Sequence, residues 1–223
     1  MSMCRLLNLC SAIAIACSLS TFVSAQSSSS SKHSKESSRA GTANIDSGAV
    51  SNGVYRNKAL GLVCKIPAGW VLRTEEMNSE ESGNGEKPAP QDAQRNTGDQ
   101  HVLLAAFSRP PDARGEDVNS SILIAAESVD AYPGLKEAAQ YFGPLTEVAK
   151  AQGFTVDEEP YEYVVGAKNL VRGDFHKDVG TRVMRQSTLA FLSHGHAVSI
   201  TIIGGTEDEV EELIDGISFG SKP

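Results

Sequence analysis

Two histidines flank a single glycine in His194-Gly195-His196, where a short turn separates two strand-like segments. Imidazole nitrogens bind divalent metals, but a stable metal site needs three or four ligands, and the sequence around these histidines offers no obvious third one. A solvated turn is therefore the favoured interpretation. The alternative is an envelope metal-binding protein or hydrolase that uses His194 and His196 with a carboxylate from elsewhere in the chain.

A second set of ligand-type residues comprises Asp174, His176 and Asp178, whose spacing places all three side chains on one face of a strand. The chain is predicted to run through 169–177, turn, and return through 181–192. The two sets then lie at opposite ends of a strand of about 12 residues, roughly 40 Å apart at ~3.3 Å per residue. We therefore expect a polar sheet face or edge here, and no metal site that joins the two sets.

A glycine pair, Gly204-Gly205, leads from a strand into a helix, an arrangement that can hold phosphate. The first helical turn is Glu207-Asp208-Glu209, which would repel an anion and suits the helix dipole. Thr206 and Glu209 have the T-x-x-E spacing of a capping box. Neither glycine-rich nucleotide motif occurs. The segment is predicted to be a turn followed by a helix cap.

The cysteine, serine and acidic residues of the domain show no pattern typical of a catalytic site. Cys64 sits among apolar residues in mid-strand and is expected to be a buried, inert thiol. No serine stands in a G-x-S-x-G motif. The acidic runs, which we expect to be solvated surface, comprise Glu75, Glu76, Glu80, Glu81, Glu158, Glu159 and Glu162. The sequence thus predicts no catalytic residue, no cofactor and no enzymatic activity.

The composition is that of a globular protein with an acidic balance. Apolar residues make up 40% and charged residues 22%, and the formal net charge is −8. Binding to nucleic acid through its phosphates needs a basic face, so the charge argues against it. Aromatic residues make up only 6%, with one tryptophan, which argues against a stacking platform for bases. A basic protein partner or a divalent cation suits this charge better.

The N-terminus has the pattern of a secretory signal peptide over residues 1–25. Arg5 precedes an apolar run, and Val23-Ser24-Ala25 places small residues before the cleavage point, so Gln26 would begin the mature chain. The apolar run of about 12 residues is shorter than the ~20 of a spanning helix. Cys17 follows a small residue as in a lipobox, so a lipid anchor is the less favoured alternative. We expect a secreted or periplasmic protein with no transmembrane span in the mature chain.

The mature chain is predicted to contain one flexible linker and one domain. Residues 26–51 begin with a serine run and contain almost no bulky apolar side chain, so they cannot bury enough surface to order themselves. Residues 52–220 form the domain. Cleavage of the signal peptide leaves Cys64 as the one cysteine, so no internal disulfide can form, and the domain must depend on its apolar core.

The domain alternates strand-like and helical segments. A hairpin is predicted at 54–57 and 62–66, and a low-complexity loop at 78–100 is expected to be disordered. Further strands are predicted at 101–107, 121–127, 154–157, 161–165, 169–177, 181–192 and 197–203. Helices are predicted at 133–153, with a kink near Pro144, and from Thr206 to Ile217. Short connections favour an α+β fold, with an antiparallel sheet flanked by a long kinked helix and a C-terminal helix.

This order of elements carries a recognisable set of turn and core residues. The set consists of Tyr55-x-Asn57, Gly61 and Ile66-Pro67-x-Gly69-Trp70, a helix ending at Gly153, a meander through Gly173, Phe175 and Phe191, and a final capped helix. The domain thereby resembles the PsbP-like fold, shared by the PsbP extrinsic proteins of photosystem II, a Ran-release factor and bacterial envelope proteins. The resemblance implies an antiparallel sheet with helices on its faces and a binding or accessory role. It implies no functional residue, because the matched positions shape turns.

The sequence therefore favours an exported, non-enzymatic accessory or protein-binding module whose partner is a protein. We expect a sheet face or the loop at 78–100 to be the surface that meets this partner. Carriage of a lipid or small molecule is a further class, and it would require an apolar cavity between sheet and helices.

Overall fold

The structure is a computed structural model and describes residues 45–81, 100–110, 113 and 118–220. Within these ranges the first six strands are β1 (Ala49–Ser51), β2 (Val54–Asn57), β3 (Leu62–Lys65), β4 (Val71–Leu72), β5 (His101–Phe107) and β6 (Ser121–Ser128). The other six are β7 (Thr155–Val156), β8 (Tyr161–Val165), β9 (Lys168–Val179), β10 (Arg182–Ser193), β11 (His196–Gly204) and β12 (Ile217–Phe219). The helices are α1 (Thr74–Glu81), α2 (Ala138–Ala151) and α3 (Glu207–Asp215).

The strands form two antiparallel sheets. The smaller sheet has the order β1-β2-β3-β12, and the larger has the order β4-β5-β6-β11-β10-β9-β7, with β8 also paired to β9. Every strand pair in the described ranges is antiparallel. The molecule is rich in sheet and has few helices, which agrees with the predicted α+β class. The division into two sheets was not anticipated.

The main core lies on the face of the large sheet that the small sheet and α3 cover. Alternation along β10 and β11 directs large aliphatic side chains to this face, where they meet the apolar face of α3. The central members are Leu104, Ile122, Ile124, Leu189, Phe191, Val198, Ile200, Ile202, Val210, Leu213 and Ile214. This apolar burial is the main stabilising contribution in a domain whose described part contains one cysteine and no disulfide.

The opposite face of the large sheet carries small residues, and α2 packs there. Tyr141 and Phe142 of α2 contact Ala190 and Ala197 of the sheet. Gly173 in β9 allows the closest approach, because a Cβ added there would lie 2.5 Å from a ring carbon of Phe142. Small side chains at these sheet positions therefore make room for the Tyr141 and Phe142 rings of α2.

The long helix starts later than its pattern predicted and shows no break. Gly134 has a φ of +95°, which cannot continue a helix, and Glu137 is extended. The Gln140 side chain then accepts hydrogen bonds from the backbone N–H groups of Lys136 and Glu137, so α2 begins at Ala138. The predicted kink at Pro144 is not evident, since α2 continues through it.

The last predicted helix also differs at its end. Thr206 caps α3 as expected, since its hydroxyl accepts a hydrogen bond from the backbone N–H of Glu209 at 3.1 Å. The prediction that Ile217 lies on the helix was wrong, because α3 ends at Asp215 with Gly216 as its cap, and Ile217 begins β12. Ile217 is buried in either conformation, so its apolar character alone could not distinguish helix from strand.

Two predicted boundaries in the first half of the domain are also corrected. The linker prediction of 26–51 overlaps ordered structure, since Ile45 is in the core and β1 lies at Ala49–Ser51. The loop prediction of 78–100 included Asn78, which belongs to α1 and exchanges two side-chain hydrogen bonds with the backbone of Val102, at 2.9 and 3.0 Å. Residues 82–99 of that loop lie outside the described residues.

The signal-peptide prediction, the Ala25–Gln26 cleavage point, the Cys17 anchor and linker residues 26–44 also lie outside the described residues. In the part of the chain that is described, none of the helices combines the length and apolar character needed to cross a bilayer.

Candidate binding groove beside Trp70

The turn that joins β2 and β3 is held by a buried asparagine. The Asn57 amide donates to the carbonyl oxygen of Asp46 at 2.5 Å, and its oxygen accepts from the backbone N–H of Leu60 at 3.0 Å. Tyr55, its neighbour in the Tyr-x-Asn pattern, donates its hydroxyl to the carbonyl oxygen of Ser47 at 2.9 Å. Burial raises the pKa of Tyr55 to about 12. These two positions therefore serve the architecture, as the resemblance implied.

The two histidines of the His194-Gly195-His196 turn are each bonded to a backbone carbonyl. His194, in the left-handed region with a φ of 52°, directs Nε2 to the carbonyl oxygen of Ala59 at 3.0 Å. His196 directs Nδ1 to the carbonyl oxygen of His194 at 2.9 Å. A carbonyl only accepts, so both nitrogens carry protons in these contacts. Among the described residues no group of three or more histidine, cysteine or acidic side chains could hold a metal ion.

Asp174 and His176 lie on one face of β9, as the alternation predicted, and both have partners there. Asp174 accepts hydrogen bonds from Arg172 at 3.0 Å and from the Tyr161 hydroxyl at 2.9 Å. His176 is bonded through Nδ1 to Asp157. Arg172 is 7% exposed and also pairs with Glu211 of α3, which ties the helix to this edge of the sheet.

The two candidate ligand sets remain separate in the structure. His176 pairs with Arg185 across β9 and β10, whereas His196 pairs with Ser193 across β10 and β11. Eight residues of strand separate those positions, about 26 Å at ~3.3 Å per residue. The structure therefore does not bring the histidine turn together with Asp174, His176 or Asp178.

Cys64 and the acidic runs, the other candidate residues from the sequence, lie in surroundings that do not favour catalysis. Cys64 is fully buried in β3, and that burial raises the pKa of its thiol to about 12. A thiol held neutral is a poor nucleophile. Glu76, in the first turn of α1, pairs with Arg73 at 2.6 Å, and the hydrogen bond from Arg73 lowers the pKa of Glu76. Glu158, Glu159 and Glu162 are exposed, as expected of solvated surface.

A groove of about 500 Å³ lies at the other end of the β2–β3 hairpin, between the residues that follow β3 and the last turn of α3. Its lining comprises Lys65, Ile66, Pro67, Trp70, Glu209, Glu212, Leu213, Asp215 and Gly216. The side chains of Ile66, Pro67, Trp70 and Leu213 give the groove an apolar surface. Its charged residues are Glu209, Glu212, Asp215 and Lys65, so acidic residues outnumber basic ones. We call this cavity the Trp70 groove.

The Trp70 groove exists because of two backbone contacts that are distant in sequence. The backbone N–H of Lys65 donates to the carbonyl oxygen of Gly216 at 2.9 Å, and β12 pairs with β3 from Ile217 onward. These contacts bring the C-terminal end of α3 to the end of β3. The turn after Pro67 then places Trp70 in the same groove, where it packs against the edge of the main core.

The carboxylates of the Trp70 groove differ in their partners. Glu209 is occupied, since it accepts hydrogen bonds from the backbone N–H of Gly205 at 2.8 Å and from the Ser120 hydroxyl. Glu212 and Asp215 are exposed, and in the described part of the chain they have neither a hydrogen bond nor an ion pair. Within the same ranges, the indole N–H of Trp70 has no hydrogen-bond acceptor.

The charge at this end of α3 opposes the helix dipole. A helix C-terminus carries the equivalent of roughly half a negative charge and is stabilised by basic residues. The last turn of α3 contains no basic residue, and it ends on Asp215 one turn after Glu212. The carbonyl groups and the two carboxylates therefore create a concentrated negative potential beside Trp70.

A larger groove of about 730 Å³ lies between α2 and β7. Phe142 and Phe154 contribute to its lining, and its charged residues include Glu147 and Lys150, which pair with each other at 3.5 Å. Glu159 also lines this groove, which therefore has two carboxylates and one ammonium group, one carboxylate fewer than the Trp70 groove.

Comparison with known proteins gives a likeness to solved structures only. No family model matches the chain, and no curated protein matches its sequence. The chain is structurally similar to LpqN of Mycobacterium tuberculosis, described as involved in cell envelope biogenesis, at 12% identity over 72% of this chain and 83% of that chain, with a TM-score of 0.34. It is also similar to PA94 of Pseudomonas aeruginosa, described as a protein of unknown function, at 13% identity over 59% and 84%, with a TM-score of 0.34.

A mutant of the protein Mog1 is similar to the chain at 11% identity over 70% of this chain and 79% of that chain, with a TM-score of 0.34. At these identities and TM-scores the likeness carries no function over to this protein. Membership of the PsbP-like family remains a prediction from the sequence.

Sequence reasoning missed the Trp70 groove, although part of its signal was present. Glu212 and Asp215 are three residues apart on one helical face, and no basic residue follows them until Lys222. In the sequence, Trp70 stands out only as the last residue of the Ile66-Pro67-x-Gly69-Trp70 turn pattern. The pairing of β12 with β3, which brings these residues together, was not foreseen, because residue 217 was placed on the helix.

Proposed function

We propose that this protein is an exported, non-enzymatic accessory module of the cell envelope that binds a protein partner, and that the Trp70 groove is its docking surface. The Trp70 groove carries this proposal, since it combines an apolar lining with carboxylates that have no partner among the described residues. The prediction of export rests on the signal-peptide pattern of residues 1–25.

The surroundings of the other candidate residues support a binding role over catalysis. His194 and His196 are bonded to backbone carbonyls, and Cys64 is a buried, neutral thiol. At the Trp70 groove, by contrast, Glu212 and Asp215 lie next to an apolar lining and have no hydrogen-bond partner among the described residues. Tryptophan is enriched in protein-binding sites, and a partner with basic side chains could supply the contacts that these carboxylates lack.

Site-specific cross-linking tests the docking surface. A photo-reactive benzoyl-phenylalanine replaces Glu212 in the mature protein, and a matched variant carries it at Glu207 on the first turn of the same helix. Both are illuminated in the native envelope fraction. We expect a discrete adduct from position 212 and none from position 207. The cross-linked protein, once identified and purified, should bind the unmodified mature protein directly.

Two results would remove the proposal. Equal adducts at both positions would indicate nonspecific proximity, and the absence of any adduct at position 212 would mean that the groove meets no partner. Circular dichroism of both variants checks that each is folded before illumination.

A further inference from the structure

We infer that the Trp70 groove recognises an arginine side chain presented by a flexible segment of the partner protein. This inference rests on the proposed docking function and adds the chemistry of the partner. It depends on the shape of the groove, the potential at the end of α3, and the aromatic surface of Trp70.

The size and openness of the groove suit a side chain and a short piece of backbone. A volume of about 500 Å³ is within the range of small-ligand pockets, and it is lined on its apolar side by Ile66, Pro67 and Leu213. An arginine side chain has an apolar stem that can cover such a surface while its charged head stays at the rim. A segment that reaches into the groove is therefore better suited than a flat protein face.

The potential of the groove selects a cation. Glu212 and Asp215 lie on the last turn of a helix whose own C-terminal carbonyl groups are also negative. Lys65 lines the groove as well, but it makes no ion pair with either carboxylate. Since no ion pair with a described residue neutralises Glu212 or Asp215, a bound cation would gain from both carboxylates and from the helix dipole at once.

The same residues favour an organic cation over a metal ion. A metal needs three or more converging ligands, and the described residues contain no such group, here or elsewhere. A guanidinium group instead requires a planar surface and carboxylate acceptors. Trp70 offers the aromatic face to which cations bind best, and Glu212 and Asp215 offer the acceptors.

The fluorescence of Trp70 can report binding at the groove, because Trp70 is the sole tryptophan of the chain. The mature protein is titrated with the peptide acetyl-Ala-Arg-Ala-Arg-Ala-amide while tryptophan emission is recorded. A second peptide replaces each arginine by citrulline, which keeps the shape and loses the charge. We expect a saturable change in Trp70 emission with the arginine peptide and none with the citrulline peptide. Added salt should weaken the binding.

Matched variants locate the binding site on the helix. The double variant Glu212→Gln, Asp215→Asn removes two negative charges at the groove. The control Glu207→Gln, Asp208→Asn removes two from the first turn of the same helix, outside the groove. We expect the groove variant to bind the arginine peptide about tenfold more weakly or worse, and the control to stay within about twofold of the original. Equal weakening in both variants would mean general charge attraction and would overturn the inference.

Binding of calcium ions or of a lipid surface in place of the arginine peptide would also contradict the inference. A saturable emission change with calcium ions, or with phosphatidylcholine vesicles, and none with the arginine peptide would assign the groove to a different ligand. The outcome can be separated from that of the proposed function. A specific cross-link at position 212 without arginine binding would leave the docking surface intact and remove only the arginine recognition.

Discussion

The two ends of the β2–β3 hairpin differ in how their polar groups are satisfied. At the turn end, Asn57 and His194 bond to backbone groups of neighbouring segments, so the fold itself supplies every contact they make. At the open end, the carboxylates of Glu212 and Asp215 and the indole of Trp70 have no such partner among the described residues. Contacts within the fold hold the side chains at the turn end, whereas the carboxylates at the open end keep their hydrogen-bonding capacity toward solvent.

The largest expected effect comes from breaking the turn end. Replacing Asn57 by alanine leaves the Leu60 N–H and the Asp46 carbonyl without their partner in a site where Asn57 is 1% exposed. We expect a loss of about 2–3 kcal/mol in the free energy of unfolding, or about 5–10 °C in Tm. Thermal unfolding followed by circular dichroism measures it. A loss below about 1 kcal/mol would show that water or another group replaces the amide.

A second effect concerns Cys64, which lies in β3 between the two ends. Its pKa is raised from 9.0 to about 12 by burial, so the folded state binds its proton more tightly than the unfolded state. The stabilisation that comes from this raised pKa is therefore complete below pH 9 and is lost as the pH rises toward 12. From pH 7 to pH 10 the protein should lose roughly 1–2 kcal/mol more of its free energy of unfolding than a Cys64→Ala variant does. Urea unfolding of both proteins at the two pH values measures the difference, and parallel losses would contradict it.

A smaller effect is expected at the histidine turn. Replacing His194 by alanine removes its hydrogen bond to the Ala59 carbonyl, so we expect the free energy of unfolding to fall by about 1 kcal/mol. Replacement by glycine, which adopts the left-handed conformation of this position freely, should cost less.

The metal content of the purified mature protein is measured alongside these variants. We expect no stoichiometric zinc or copper. Bound metal that disappears when His194 and His196 are both replaced would restore the metal-binding alternative and would make the turn a functional site.

The smallest expected effect has the opposite sign and lies at the groove. Neutralising Glu212 and Asp215 removes negative charge from the C-terminal end of α3, so the protein should become more stable by about 0.5 kcal/mol. Urea unfolding of this variant and of the control variant at Glu207 and Asp208 measures the change in the free energy of unfolding. The control variant should become less stable, because it loses negative charge at the N-terminal end of α3. A loss of stability in the groove variant would mean that these carboxylates have partners in the protein, and the contrast between the two ends would fail.

Much of the fold could be predicted because its signals are local. The alternation of β10, the capping residue Thr206 and the apolar face of α3 each follow from side chains close together in the sequence. Errors arose where a distant segment decides the conformation. Ile217 has an apolar side chain suited to helix or strand, and its pairing with Cys64 makes it a strand. The polar neighbours of Asn78 indicate a loop, whereas its hydrogen bonds to the backbone of Val102 hold it in α1 against β5.

The acidic charge, the burial expected of Cys64, the predicted export signal and the positions of most strands follow from the sequence, because each depends on composition or on neighbours within a few residues. The tertiary structure alone decided that there are two sheets and that the acidic end of α3 meets Trp70. That meeting depends on the hydrogen bond between Lys65 and Gly216, which are separated by most of the domain. Contacts at such separation depend on the packing of the whole core, and no local pattern records them.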